Sequence, residues 1–225
     1  MTPILAAAAY LAYLAFWLRG LWHAMLWLRS AHPADPSGPG LSAAALASGV
    51  LDLLFFRRLF IADKAAWFCS WAFHASFLLV LACHLRYFMH PVPGLIGFLQ
   101  PAGRTAGFVL PCAAFLLIVV RAAGGRDAYV SKANYTVLGL AVLIAATGVL
   151  MRLSGSADAV SAKAFAHGLF SFRPGPPPAS WLFSVHFLAA LALVPALPTH
   201  IVAAPLVTIA ARAREFELPM ILHGK

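Results

Sequence analysis

Four of the nine histidines in this 225-residue chain lie deep in long apolar stretches, His74 and His84 in one and His186 and His200 in another. Imidazole is the ionisable side chain that can sit there neutral, and its unprotonated nitrogen is a good ligand for haem iron. On a helix, residues ten apart are separated by ~15 Å and roughly 80° of azimuth, and residues fourteen apart by ~21 Å and roughly 40°. Each pair therefore faces approximately one side of its helix at two depths. Two readings follow: the four rings grip metal between two helices, or each bonds to a neighbouring helix and packs or relays protons. The cysteines offer no competing centre. Cys69, Cys83 and Cys112 stand singly, without CxxC or CxxCH, so the ligand patterns of a disulfide framework, zinc site, iron–sulfur cluster and covalently attached haem are missing.

The elements that must position these rings follow from composition. Apolar residues make up 62% of the chain and charged ones 10%, with a mean hydropathy of +0.86. So little polar surface cannot cover a water-exposed domain, and hydrocarbon is the implied solvent. Charges delimit five spans, at 4–28, 65–87, 105–120, 133–151 and 181–211. The first lacks a basic leader and a small-residue cleavage site and is longer than the apolar core of a signal peptide, so it is read as a helix. Between the first two spans, a turn-rich stretch precedes a basic amphipathic segment at about 41–61, suited to the membrane surface. The net charge of +9 has no basic–aromatic interleaving of the kind that grips nucleic acid. It reads as orientation instead. With the N-terminus outside, the inner side holds Arg29, Arg57, Arg58, Lys64, Arg121, Arg126, Lys132, Arg212, Arg214 and Lys225, and the outer side only Arg86, Arg104, Arg152, Lys163 and Arg173.

That orientation makes the second and fifth spans antiparallel, and depth then selects the pairing. Counted from the outer boundary, His84 and His186 match within ~3 Å, whereas His74 and His200 differ by ~9 Å, a gap that tilt or a kink must absorb. The crossed pairs differ by ~12 and ~24 Å. Pro195 and Pro198 supply a cause for a kink between the fifth-span histidines.

The residues FHASFLLVLACHLRYFMHPVP at 73–93, TGVLMR at 147–152, HGLFSFRPGPP at 167–177 and VHFLAALALVPALPTH at 185–200 carry a family resemblance. The sequence resembles the gamma subunits of respiratory nitrate reductase, a family of membrane cytochromes b. Within that family it is most similar to the DsrM branch, found with the membrane complex of dissimilatory sulfur metabolism. The resemblance implies an all-α integral membrane protein, a bundle of five transmembrane helices with two b-type haems between helices two and five. Such a subunit moves electrons between menaquinone or ubiquinone and a cytoplasmic iron–sulfur subunit related to heterodisulfide reductase, with further membrane and periplasmic cytochrome c subunits. It sits in a bacterial or archaeal cytoplasmic membrane. His74, His84 and His186 correspond to family ligands. The fourth ligand falls where this chain has Ala204, so His200 is either that ligand moved by about one turn or an unrelated histidine.

Supporting residues can be named on the same basis. Ser76, Ser184 and Thr199 stand near the histidines as hydrogen-bond partners, or bond back to their own helices. Gly139, Ala145, Ala146, Thr147 and Gly148 leave room for a flat macrocycle or for close helix packing. Arg86 and Arg152 could meet propionates or simply be solvated. His90, Arg104 and Lys163 are the candidates for a quinone site on the outer side, with Asn134 and Tyr135 as weaker inner ones; His32 and His223 read as solvated. The rival to an electron carrier is a membrane anchor or proton-relay bundle with one haem or none.

Overall fold

The computed structural model describes residues 1–30, 42–124, 132–156 and 158–223. Arg126, Lys225, His32 and the turn-rich stretch before residue 42 lie outside them. The described chain is helical, with no strand among the described residues. Among the described residues the α-helices are α1 (Thr2–Ser30), α2 (Ala43–Phe55), α3 (Arg57–Ala62), α4 (Lys64–His84), α5 (Gly94–Ala123), α6 (Lys132–Leu153), α7 (Ala159–Phe170), α8 (Trp181–Leu193) and α9 (Ala204–His223). A 3-10 turn, Leu85–Tyr87, extends α4, and a second, Val194–Ala196, together with a π turn, Thr199–Ala203, joins α8 to α9.

By length and apolarity, α1, α4 with its 3-10 turn, α5 and α6 can each cross a bilayer, and α8 with α9 makes a fifth span if the broken pair is counted as one. The chain is a multi-pass membrane protein. Its exposed surface follows suit: Leu18, Leu21, Trp22, Phe68, Leu78, Phe115 and Leu150 all point outward, as expected where lipid tails are as apolar as the side chains they meet.

Two differences from the sequence expectation matter. The third span begins at Gly94 rather than near residue 105, directly after the PVP turn. The charge of Arg104 suggests a boundary, yet the residue lies within α5 and is exposed. The connection after α6 also contains a helix the sequence reading did not foresee, α7, capped by Asp158, whose Oδ1 accepts from the amides of Val160 and Ser161. The amphipathic segment expected at 41–61 is present as α2 and α3, divided at Phe56, whose backbone is left-handed.

The chain divides into two compact units, Met1–Tyr13 with Ala65–Val194, and Leu14–Lys64 with the chain from Pro195 onward. In the first, α6 packs against both α5 and α8. Cys69, Leu117 and Leu138 form a buried cluster there, joined by Phe73, Ile118 and Val120. A Cβ on Gly103 would collide with Sγ of Cys83, so glycine is what lets α5 come so close to α4. In the second unit α2 packs along α9. Gly49 permits that approach, since a Cβ there would lie 3.1 Å from Cγ1 and 3.2 Å from Cα of Ile209.

Candidate functional site

Of the sequence-predicted residues, the first unit brings His84 and His186 together. Their rings lie 6.3 Å apart between centroids and 15° from parallel. His84 closes α4, and its Nδ1 donates to the carbonyl of Val80 at 2.7 Å. His186, in the second turn of α8, reaches across to α6, where its Nδ1 donates to the carbonyl of Ile144 at 2.8 Å and lies 3.2 Å from Oγ1 of Thr147. Thr147 Oγ1 itself donates to the carbonyl of Leu143 at 2.7 Å, so its lone pair faces the imidazole. A carbonyl can only accept, so these partners assign the proton to Nδ1 in both rings and leave the Nε2 lone pairs available. That is how metal-ligating imidazoles are held: one nitrogen tied down, the other basic.

The spacing can be tested against a metal. Two imidazoles on opposite sides of one ion, with metal–nitrogen bonds of about 2 Å and ordinary ring bond lengths, place their centroids about 6.4 Å apart. The observed 6.3 Å fits. No group of three or more His, Cys, Asp or Glu that could hold a metal ion occurs among the described residues. Two imidazoles at this spacing could supply two ligands of one ion, the others coming from outside the chain. A substituent at residue 148 would crowd the pair, because a Cβ on Gly148 would stand 3.3 Å from Cε1 of His186. Gly148, expected to make room for a macrocycle, is thus set against the imidazole itself. Gly139, expected in the same role, faces open space.

His74 shares the device of His84, its Nδ1 donating to the carbonyl of Ser70 at 2.7 Å. It belongs to the first unit, whereas His200 lies in the π turn of the second and is exposed. The residues expected to hydrogen-bond the histidines divide. Ser76 Oγ bonds back to the carbonyls of Ala72 and Phe73 on its own helix, and Thr199 Oγ1 meets Nε2 of His23 at 3.0 Å. The side chain that does serve a ligand candidate is Thr147.

At the end of α4 that carries His84, Arg86 donates to Oε1 of Gln100 at 2.8 Å and to the Tyr87 hydroxyl at 2.6 Å, with its guanidinium over the Tyr87 ring. Tyr87 in turn lies 5.8 Å from the His84 ring, centroid to centroid. Beside these residues opens a cleft of about 510 Å³, lined by Arg86, Tyr87, Val92 and the α7 residues Ala159, Val160, Lys163, Ala164 and His167. Of the three quinone-site candidates only Lys163 lines it; His90 and Arg104 are exposed elsewhere on the first unit. Arg152 is exposed, its guanidinium 5.8 Å from the Phe108 ring centroid, and Asn134 and Tyr135 are half-buried near the start of α6.

The sequence reading passed over His167. Its signal was present, since Lys163 and His167 are four apart and share a helix face. The HGLFSFRPGPP stretch holds it by a local fold. A Cβ on Gly168 would come within 2.7 Å of the Arg173 carbonyl oxygen, so only glycine lets the loop turn back on α7. Arg173 N donates to the Gly168 carbonyl at 2.8 Å. Phe165 is fully buried against Phe183 and Phe187 of α8, and the Tyr10 hydroxyl donates to the Leu169 carbonyl.

Comparison with known proteins adds a direction. No family profile matches the chain, and no solved structure does. Two curated relatives are "Hdr-like menaquinol oxidoreductase cytochrome b-like subunit" proteins. That of Archaeoglobus profundus is 28% identical over 137 residues, 54% of this chain and 41% of the relative. That of Archaeoglobus fulgidus is 29% identical over 149 residues, 56% of this chain and 45% of the relative. The matches thus take in less than half the length of either relative, and neither bears the nitrate reductase gamma-subunit name. Over slightly more than half its residues, then, this histidine-bearing membrane chain is similar to proteins named as cytochrome b-like subunits.

Proposed function

We propose that the chain is a membrane cytochrome b, the electron-transfer subunit of a quinone-linked oxidoreductase complex. The observation that carries this reading is the His84–His186 pair, two nearly parallel imidazoles at the spacing one iron requires, each with Nδ1 spent on a carbonyl. When bound there, a bis-imidazole b-type haem supplies one-electron exchange with no coordination position open to oxygen or substrate. The protein's own residues hold the two rings in a fixed tautomer and leave a cationic rim at Arg86.

The reading extends to a second haem on His74 and His200, which rests on sequence spacing and family resemblance. Menaquinone is the favoured quinone, because the relatives' printed name specifies menaquinol. His90, Arg104 and Lys163 are its candidate polar contacts on the outer side. The electron partner is a cytoplasmic iron–sulfur subunit related to heterodisulfide reductase, with membrane and periplasmic cytochrome c subunits completing the complex. The N-terminus faces out and the C-terminus the cytoplasm of a bacterial or archaeal cell, from the excess of basic residues on the inner side.

A pyridine haemochrome assay on the purified chain tests the proposal. Two haems b per chain are expected. One haem removes the His74–His200 site and keeps the rest. None overturns the electron-carrier reading in favour of an anchor or proton relay.

A further inference from the structure

Of the imidazoles in the first unit whose Nδ1 is tied to a carbonyl, one is tied differently. His74 and His84 each use the carbonyl four residues back in their own helix, those of Ser70 and Val80, both at 2.7 Å. Such a tether travels with its ring and is indifferent to the neighbouring helices. His186 instead uses α6, where the carbonyl of Ile144 lies at 2.8 Å and the Thr147 hydroxyl at 3.2 Å. The ring is thus held by a helix that itself contains no histidine or cysteine.

The surroundings of Thr147 fix which way its contact works. Its hydroxyl has one hydrogen, and Oγ1 lies 2.7 Å from the carbonyl oxygen of Leu143, 3.0 Å from that of Ile144 and 3.2 Å from Nδ1 of His186. A carbonyl only accepts, so the hydroxyl hydrogen goes to one of the two carbonyls and a lone pair is left for the imidazole N–H. Bonding back to carbonyls three and four residues earlier is ordinary for a helical threonine; receiving a donor from another helix is an added role. Thr147 is only 5% exposed, so bulk water cannot replace its hydroxyl once it is removed. Gly148 follows it and leaves room for the ring, since a Cβ there would stand 3.3 Å from Cε1 of His186.

An imidazole whose Nδ1–H faces two acceptors is more electron-rich at Nε2 than one that faces a single carbonyl, and so a stronger donor to an oxidised metal. We infer that Thr147 is a positioning residue for His186, and that its hydroxyl holds the midpoint potential of the His84–His186 centre below the value that backbone bonds alone would give. The inference rests on the haem reading proposed above and deepens it. It assigns the setting of that centre's potential to α6, a helix that supplies no ligand candidate.

The experiment is a redox titration of the purified, haem-loaded full chain in nanodiscs, followed in the visible spectrum, for wild type, Thr147→Val and Thr147→Ser. Valine keeps the branched shape and removes the hydroxyl, whereas serine keeps the hydroxyl and removes the methyl. At a fixed potential Thr147→Val is expected to raise the reduced-to-oxidised ratio of one centre roughly threefold, a rise of about 28 mV at about 59 mV per tenfold for one electron. Haem content is expected to be unchanged, the affected centre to be the one that His186→Ala removes, and Thr147→Ser to return the potential toward wild type. An unchanged or lowered potential in Thr147→Val, or the same rise in Thr147→Ser, overturns the inference, because the hydroxyl then does not govern the ring. If Thr147→Val loses its haem, Thr147→Ser decides: a wild-type potential supports the hydroxyl's role, and a shifted one or a second loss overturns it. A native chain without haem, or His186→Ala with every haem retained, defeats the reading of His186 as a ligand, which is told apart from a failure at Thr147.

Discussion

His84 and His186 are half-buried imidazoles tied to backbone carbonyls, whereas between α2 and α9 the buried carboxylate of Asp52 is tied to arginines. In the second region Asp52, only 6% exposed, accepts from Nε of Arg212 at 2.5 Å and lies 3.4 Å from Nε of Arg58. Glu215 then bridges both arginines, at 2.6 and 2.9 Å. The contrast teaches what each environment tolerates. An imidazole can enter hydrocarbon uncharged, with one donor to satisfy, and keep a lone pair for chemistry. A carboxylate cannot; it is retained only where two guanidiniums surround it, and its function is spent on holding helices together.

The largest effect that would sharpen this difference is at the neutral site. If the proposed site is right, His186→Ala should abolish one haem, reducing the haemochrome yield by about half if two are bound, because it removes one of the two imidazoles that would hold the iron. Asp52→Asn, in the same assay, should leave haem content unchanged. A loss of haem from both variants would erase the distinction between a cofactor site and a structural one.

Much of the first region was legible in the sequence, and the reason is spacing. His84 and His186 matched in depth because α4 and α8 are regular up to the points where those residues sit, so a rise per residue was enough. The same arithmetic gave His74 and His200 a mismatch. The π turn at Thr199–Ala203 and the 3-10 turn before it are places where a constant rise no longer applies. Arg104 misled for a different reason. Charge marks where hydrocarbon ends but not where a helix does, and α5 begins ten residues earlier. Thr147 was hidden because its contact depends on a neighbouring helix, His186 reaching across to α6.

The second largest effect lies at the charged site. The hydrogen bond from Arg212, ahead of the opposing cost of burial, holds the Asp52 carboxyl below its ordinary value of 3.8. A carboxyl with a lowered folded value contributes stability that is complete above the unfolded value and is lost as pH falls through the folded one. Asp52→Asn should therefore destabilise the α2–α9 pairing by about 2 kcal/mol at neutral pH, since it leaves Arg212 facing a neutral amide. Measured by unfolding in detergent, the gap between variant and wild type should close progressively below pH 3.8. A gap independent of pH would mean that the packing of α2, and not its charge, holds the pair.

The smallest effects compare the two glycines that allow close approach. A methyl on Gly49 would press on Ile209 at its backbone Cα, 3.2 Å away, where nothing can rotate aside. Gly49→Ala should cost about 1–2 kcal/mol in unfolding, as helix separation, and leave haem spectra untouched. A methyl on Gly148 meets instead Cε1 of His186, 3.3 Å away, on a ring fixed by hydrogen bonds to Ile144 and near Thr147. The imidazole must tilt by a few tenths of an ångström, which loosens its Nδ1 bonds before it disturbs the fold. Gly148→Ala should accordingly shift the haem absorption and midpoint potential while the unfolding midpoint changes little. If Gly148→Ala lowers stability as Gly49→Ala does and leaves the spectrum alone, residue 148 serves helix packing and His186 is not a ligand. If the spectrum moves with stability unchanged, residue 148 acts through the His186 ring and the reading of His186 as a ligand stands.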